Sequence, residues 1–251
     1  MKEKYLAMKR AGQKIVMLTA YDYWSSRLLG GADVILVGDS LGMVMLGHKS
    51  THSVTMQDMV RAVEAVSRGT KKPIMGDMPI GSYENAEDAL MNARRLLDAG
   101  AAGVKIEGNP QGIAKCLVAQ GIEVMGHVGL TPQSAKTFGV QGKQGNEAEG
   151  IVKDAMELEA DGCFSIVIEC VPAALAERIT AKLRIPTIGI GAGRNCDGQV
   201  LVTHDMLGLF EDFRPRFVKR YAEGGAMIRD AVARFAEDVK AGRFPAREHS
   251  Y

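Results

Sequence analysis

A repeated pattern, rather than a repeated sequence, most constrains what this chain can fold into. Short apolar, β-branched runs recur along it, each ending in glycine or a charged residue: KIVMLTA (14–20), DVILVGDS (33–40), PIMGDMP (73–79), GVKIEG (103–108), IEVMGHVG (122–129), FSIVIEC (164–170), PTIGIGAG (186–193) and QVLVTHD (199–205). Continuous apolar strands of this kind suit a sheet covered on both faces. Between most of them lie stretches of helical period, such as MQDMVRAVEAVSRG (56–69), NAEDALMNARRLLDAG (85–100), EGIVKDAMELEADG (149–162) and AALAERITAKL (173–183). These end near Gly, Lys or Arg, which are helix-stop signals. The alternation predicts a parallel sheet with helices outside. Eight strand candidates in a chain of 251 residues favour a (β/α)8 TIM barrel over an open doubly wound sheet. With no linker visible, residues 1–251 are expected to form a single domain.

The last βα unit departs from the pattern. Only eight residues, 191–198, separate Ile190 from QVLV. A crossover helix needs about a dozen residues or more, so this unit should be irregular. The tail FVKRYAEGGAMIRDAVARFAEDVKAG (217–242) reads as an amphipathic C-terminal helix, with Phe217, Tyr221, Ile228, Val232, Phe235 and Val239 on one stripe and Gly224-Gly225 as a candidate break.

Composition removes several function classes. Lys plus Arg number 31 against 30 for Asp plus Glu, so no basic excess exists to grip a phosphate backbone, and nucleic-acid binding is not expected. No window approaches 18 uninterrupted apolar residues, so a transmembrane helix is not expected. The N-terminal stretch has charge but no sustained apolar core of a secretory signal. Cys116, Cys163, Cys170 and Cys196 form no C-x-x-C pair and fit a reducing compartment as small apolar fillers. A cytoplasmic location is the expectation.

The chemistry should lie at the strand ends, because the active site of a parallel barrel sits at the C-terminal ends of its strands. Asp39 closes DVILVGD, Asp77 closes PIMGD, Glu107 closes GVKIE and Glu169 closes FSIVIE. Lys105 stands two residues before Glu107, so both point to one face of their strand. Such groups facing inward are costly unless they are paired or bind something. A structural ion pair with ordinary strand-end capping is the plain alternative for any one of them. Four comparable positions favour a site. Three carboxylates with one Lys point to a hard divalent cation held by oxygen, and Mg²⁺ characteristically combines few protein carboxylates with water and substrate oxygens. Glu169 would then be free to act as a base.

Other features carry less. GIGAG (189–193) lacks the G-x-G-x-x-G spacing of dinucleotide sites. His48 and His52 are four apart, but GHKSTHSV does not read as a helix, so they are taken as loop histidines. His127 ends IEVMGH at the level of the carboxylates and could orient a substrate or be a hydrogen-bonded core residue. Arg214, Arg216, Lys219 and Arg220 read as a solvated face or an oligomer contact.

The segments MLTAYDY (17–23), VGDSLGMV (37–44), VTMQDM (54–59), GDMPIGSY (76–83), VKIEG (104–108), GHVGLTPQS (126–134), IGIGAG (188–193), CDGQVLV (196–202) and FVKRYA (217–222) carry a resemblance. Through them nearly the whole chain resembles the ketopantoate hydroxymethyltransferase family, (β/α)8 barrels related to phosphoenolpyruvate mutase and isocitrate lyase. The resemblance implies Mg²⁺ at Asp39, Asp77 and Glu107, the last through a water, and binding of the 2-oxoacid by Asp39, Ser40, Asp77 and Lys105. It implies Glu169 as general base. The implied reaction moves a hydroxymethyl group from 5,10-methylenetetrahydrofolate to 3-methyl-2-oxobutanoate, giving 2-dehydropantoate and tetrahydrofolate on the way to pantothenate and coenzyme A. The implied assembly is a homo-oligomer, expected to be a decamer. Three stretches depart from the family pattern: 133–143 and 25–35 are shortened, and THSVTM (51–56) stands where T-L-P-V-T is more usual. They bear on the lid and the folate side, not on the metal and base positions. The alternatives are a Mg²⁺-dependent 2-oxoacid lyase of the same superfamily and a non-catalytic 2-oxoacid-binding barrel. Against the lyase, the stretch from GLTPQS to Gln144 holds no cysteine, where those relatives carry a catalytic one.

Overall fold

The computed structural model describes residues 1–134 and 139–251. Of the shortened stretch 133–143, residues 135–138 lie outside the described residues. The chain divides into two compact units, Met1–Val202 and Thr203–Tyr251, and each is described by itself.

The first unit runs α1 (Lys2–Arg10), β1 (Ile15–Thr19), α2 (Tyr23–Leu28), β2 (Val34–Val37), α3 (Leu41–Val44), α4 (Met56–Gly69), β3 (Ile74–Asp77), α5 (Ala86–Asp98), β4 (Gly103–Lys105), α6 (Ile113–Ala119), β5 (Val124–Gly129), α7 (Gly145–Ala160), β6 (Ser165–Glu169), α8 (Ala173–Lys182), β7 (Thr187–Ile190) and β8 (Gly198–Leu201). The strands lie in sequence order, and β8 pairs in parallel with both β7 and β1, so the sheet closes on itself. The expected (β/α)8 barrel is what the chain forms.

Two apolar cores follow from the period-2 strand pattern. Inside the barrel, Ile15, Met17, Val34, Leu36, Met75, Met125, Phe164, Val167, Ile188 and Val200 pack together. The alternate residues, among them Ile35, Val37, Ile74, Val104, Val124, Ile166 and Ile168, face the helices. Helices α4 and α5 start at side-chain caps. Thr55 and Asp58 form a reciprocal capping box that opens α4, which buries Met59, Val63 and Val66 at helical spacing. Asn85 caps α5, which buries Ala89, Ala93 and Leu96 in the same way.

The sequence pattern did not reveal α1. It closes the N-terminal mouth of the barrel: Tyr5 stacks on Phe164 with ring centroids 6.2 Å apart, and its hydroxyl donates to the Asp33 carbonyl oxygen at 3.2 Å. Lys9 Nζ reaches the carbonyls of Thr180 and Ile185 and the Asp197 carboxylate at 3.1, 3.0 and 2.8 Å. That leaves the C-terminal mouth for chemistry.

The irregular last unit has a simple geometry. Residues 191–197 form no helix. Gly198 pairs at the level of Ile188, only two residues below the top of β7. The return path is about 7 Å, well within the reach of seven residues at about 3.3 Å each, so no crossover helix is required. Gly191 and Gly193, with φ of 62° and 80°, make the reversal.

The second unit holds α9 (Thr203–Met206) and α10 (Gly224–Lys240). The helix expected over 217–242 begins at Gly224, so Phe217 and Tyr221 precede it. The glycine pair marks its start rather than a break within it. The Gly224 and Gly225 amides donate to the carbonyls of Leu207 and Gly208 at 2.8 and 2.9 Å. A Cβ on Gly224 would stand 2.7 Å from a Leu209 methyl carbon. Ile228, Val232, Phe235 and Val239 are all exposed along α10. Among the described residues, no helix is long and apolar enough to cross a membrane.

Candidate active site

The inward face of each strand changes character toward its C-terminal end. On β3, Met75 is followed two residues later by Asp77; on β5, Met125 by His127; on β6, Val167 by Glu169. Period-2 alternation therefore places a polar layer directly above the apolar interior. Asp39, Asp77, Lys105, Glu107 and His127 are all buried there, and Glu169 is partly open, its side chain 19% exposed.

Sheet register decides the pairing. Asp77 lies opposite Lys105 across β3 and β4. Lys105 Nζ donates to Asp77 Oδ1 at 2.6 Å. The other Asp77 oxygen accepts the Asp39 amide at 3.1 Å. Gly38 permits this approach, because a Cβ there would meet Ser40 Oγ at 2.9 Å and Asp77 Oδ2 at 3.4 Å. Ser40 Oγ shares a hydrogen bond with Tyr21 Oη at 2.8 Å. His127 stands between two carboxylates, with Nδ1 3.4 Å from Glu107 Oε1 and Nε2 3.3 Å from Glu169 Oε2. Neither nitrogen meets hydrogen-bond geometry, so these are charge contacts.

The electrostatics follow from burial and crowding. Burial, then the neighbouring Asp77, raises the Asp39 carboxyl to about 7, against the opposing pull of Lys105. Burial and Lys105 both disfavour a charged His127, but Glu107 and Glu169 outweigh them and lift it to about 9. Burial would lower Lys105, yet Asp77, Glu107 and Asp39 carry it above its usual range. Burial would raise Glu107, but His127 and Lys105 bring it below. Four carboxylates thus face one lysine and one histidine, and Asp39 holds the least compensated charge.

The donors available to a metal are carboxylate oxygens, the chemistry of a hard divalent cation. Among the described residues, no three carboxylate, imidazole or thiolate groups stand close enough to enclose an ion by themselves. The set fits a cation that takes few protein ligands and completes its shell from water and substrate. His52 Nε2 lies 3.0 Å from the Pro132 carbonyl oxygen.

Two residues escaped the reading of the sequence, although both lie in segments that carried the resemblance. Gln133, from GLTPQS, contacts Asp39 and Glu107. Tyr83, from GDMPIGSY, donates to Gln133 Oε1 at 2.6 Å and accepts from the Glu107 amide at 3.3 Å. A cavity of about 370 Å³ opens beside them, lined by Ile80, Tyr83, Glu84, Glu107, Pro110 and Gln133.

Comparison with solved structures bears on the fold. The fold is similar to that of a phosphonopyruvate hydrolase (TM-score 0.65, 13% identity, 98% of this chain and 92% of that one). It is also similar to the phosphoenolpyruvate phosphomutase of Streptomyces platensis subsp. rosaceus (TM-score 0.63, 15% identity, 94% and 88%). At such identities the likeness speaks for the fold alone, a closed parallel barrel. Sequence narrows this. The family model for ketopantoate hydroxymethyltransferase matches residues 2–247. The 3-methyl-2-oxobutanoate hydroxymethyltransferase of Caldicellulosiruptor saccharolyticus is 52% identical over 252 residues, covering 97% of this chain and 96% of that protein. The chain belongs to the ketopantoate hydroxymethyltransferase family, as its segments led us to expect.

Proposed function

We propose that this chain transfers a hydroxymethyl group from 5,10-methylenetetrahydrofolate to 3-methyl-2-oxobutanoate. One water is consumed, and 2-dehydropantoate and tetrahydrofolate are released. The observation that carries the proposal is the polar layer itself: a buried, over-anionic cluster with one carboxylate, Glu169, open to the barrel mouth. Relatives of the same name at about half identity support it.

Asp39 and Asp77, with Glu107 acting through a water, would hold Mg²⁺. A bound Mg²⁺ supplies Lewis-acid polarisation of the 2-oxo group, which makes the C3 hydrogen acidic. Lys105 Nζ and Ser40 Oγ are the cationic and hydroxyl donors on this face, suited to the substrate's carboxylate. The Glu169 carboxylate takes the C3 proton, and protonated His127, 3.3 Å from its Oε2, holds that carboxylate in place. Water cleaves the methylene bridge of the folate, releasing tetrahydrofolate and a one-carbon unit at the formaldehyde level; the carbanionic C3 forms its bond to that carbon, and the oxygen left by the opened carbonyl takes the proton held on Glu169. The residues mainly fix two reactants and one base in register, where much of such an acceleration originates.

The test is turnover. Purified protein given 3-methyl-2-oxobutanoate and 5,10-methylenetetrahydrofolate should produce 2-dehydropantoate with Mg²⁺ and lose that activity with a chelator. Cleavage of a 2-oxoacid C–C or P–C bond instead would establish the lyase reading. Substrate binding without conversion would establish the non-catalytic one.

A further inference from the structure

Gln133 occupies a singular place in the site. It is buried, with 6% of its surface exposed, and it comes from the turn that follows β5. Its backbone amide donates to Glu107 Oε2 at 2.9 Å. Its side-chain amide donates to Asp39 Oδ2 at 2.9 Å and to the Met78 carbonyl oxygen at 3.0 Å. Its Oε1 accepts from the Tyr83 hydroxyl at 2.6 Å. The amide cannot be reversed, because Met78 offers only an acceptor and an oxygen turned toward it and Asp39 would repel both. One residue thus reaches two carboxylates supplied by the ends of two strands, β2 and β4, and Tyr83 locks its orientation.

We infer that Gln133 is a positioning residue: by one backbone and one side-chain hydrogen bond it sets the orientation of Glu107 and Asp39 relative to each other before any ligand arrives. The inference rests on the reading of these carboxylates as cation ligands. Gln133 acts through them and touches no reacting atom. Partners that orient ligating carboxylates are worth about 10–100-fold in metal affinity or activity. Substitution leaves the backbone contact to Glu107 intact, so variants report on the Asp39 arm.

Two variants separate a positioning role from a merely structural one. Gln133→Met keeps length and removes the polar contacts. Gln133→Glu keeps shape but turns an acceptor toward Asp39 and Met78. Mn²⁺ alone, followed by the EPR signal of the free ion, should bind Gln133→Met about 10–100-fold more weakly than wild type, and Gln133→Glu no more tightly than that. Tyr83→Phe should weaken Mn²⁺ by less, and adding it to Gln133→Met should cost less than it does in the wild type, because Tyr83 acts in part through Gln133 and in part on the Glu107 backbone. A folded Gln133→Met protein with wild-type Mn²⁺ affinity would overturn the inference. Should Gln133→Met not fold, Tyr83→Phe decides the matter, and unchanged Mn²⁺ affinity there overturns it. Should wild type itself bind no Mn²⁺, the metal reading fails on its own. A metal-free crystal structure of Gln133→Met then decides: an Asp39 carboxylate turned from its wild-type direction supports the positioning role, and an unmoved one refutes it.

Discussion

Asp39 and His127 hold protons that the same groups would release in an unfolded chain. Asp39 rises from 3.8 to about 7, first through burial and then through Asp77. His127 rises from 6.5 to about 9 because Glu107 and Glu169 overcome burial and Lys105. Where the folded state binds protons more tightly, stability falls as pH rises through the folded value. The contribution of Asp39 is complete below its unfolded value and lost by about pH 7; that of His127 is complete below about 6.5 and lost through about 9. Glu107, held below its usual value, titrates beneath this window and does not cancel the trend. Chelator-treated protein should therefore lose melting temperature between about pH 5 and 9 in calorimetric scans. Saturating Mg²⁺ should flatten that slope, because a cation replaces the protons as the balancing charge. A metal-free protein that gains stability across this range would contradict the assignment. Asp39→Ala should abolish Mg²⁺-dependent binding of the 2-oxoacid in calorimetry, since an under-coordinated cation cannot present the substrate. Unchanged affinity would make Asp39 structural only.

At the scale of elements, the C-terminal end of β5 is packed so closely that only glycine fits. Gly129 has φ of 95°, and a Cβ there would stand 2.2 Å from the Glu169 carbonyl oxygen. Gly129→Ala should cost about 2 kcal/mol or more in urea unfolding and displace Glu169 with it, lowering turnover in the folded fraction. Wild-type stability with full turnover would count against this packing. The strands were readable because each is a continuous apolar run, which depends only on local sequence. The polar layer was readable because charges closed those runs. What could not be read depends on register and on long-range contacts. Lys105 and Glu107 share a strand face, yet Lys105 pairs with Asp77 on the neighbouring strand, a partner fixed by the β3–β4 alignment. Helix α1 carries few apolar residues, and only its contact with Phe164 shows what Tyr5 does. Gln133 carries no charge and lies in a loop, so nothing in the local pattern marked it as the link between two carboxylates.

At the scale of the whole molecule, α10 presents Ile228, Val232, Phe235 and Val239 to solvent in a single chain. An apolar stripe of this length on one helix is characteristic of an interaction surface. The expected outcome in sedimentation at micromolar concentration is an assembly larger than a dimer. A stable monomer would contradict that, and Phe235→Glu should shift the protein toward smaller species if α10 supplies contacts. The central claim concerns Glu169, and exchange of the C3 hydrogen of 3-methyl-2-oxobutanoate with deuterated water, followed by NMR with Mg²⁺ and without folate, tests it most directly. This isolates proton abstraction from the later carbon–carbon bond. Wild type should exchange. Glu169→Gln, which keeps shape but removes the basic oxygen, should bind the 2-oxoacid while exchange falls by about 10²–10⁴-fold. Exchange at the wild-type rate in a fully folded Glu169→Gln protein would remove Glu169 from the mechanism.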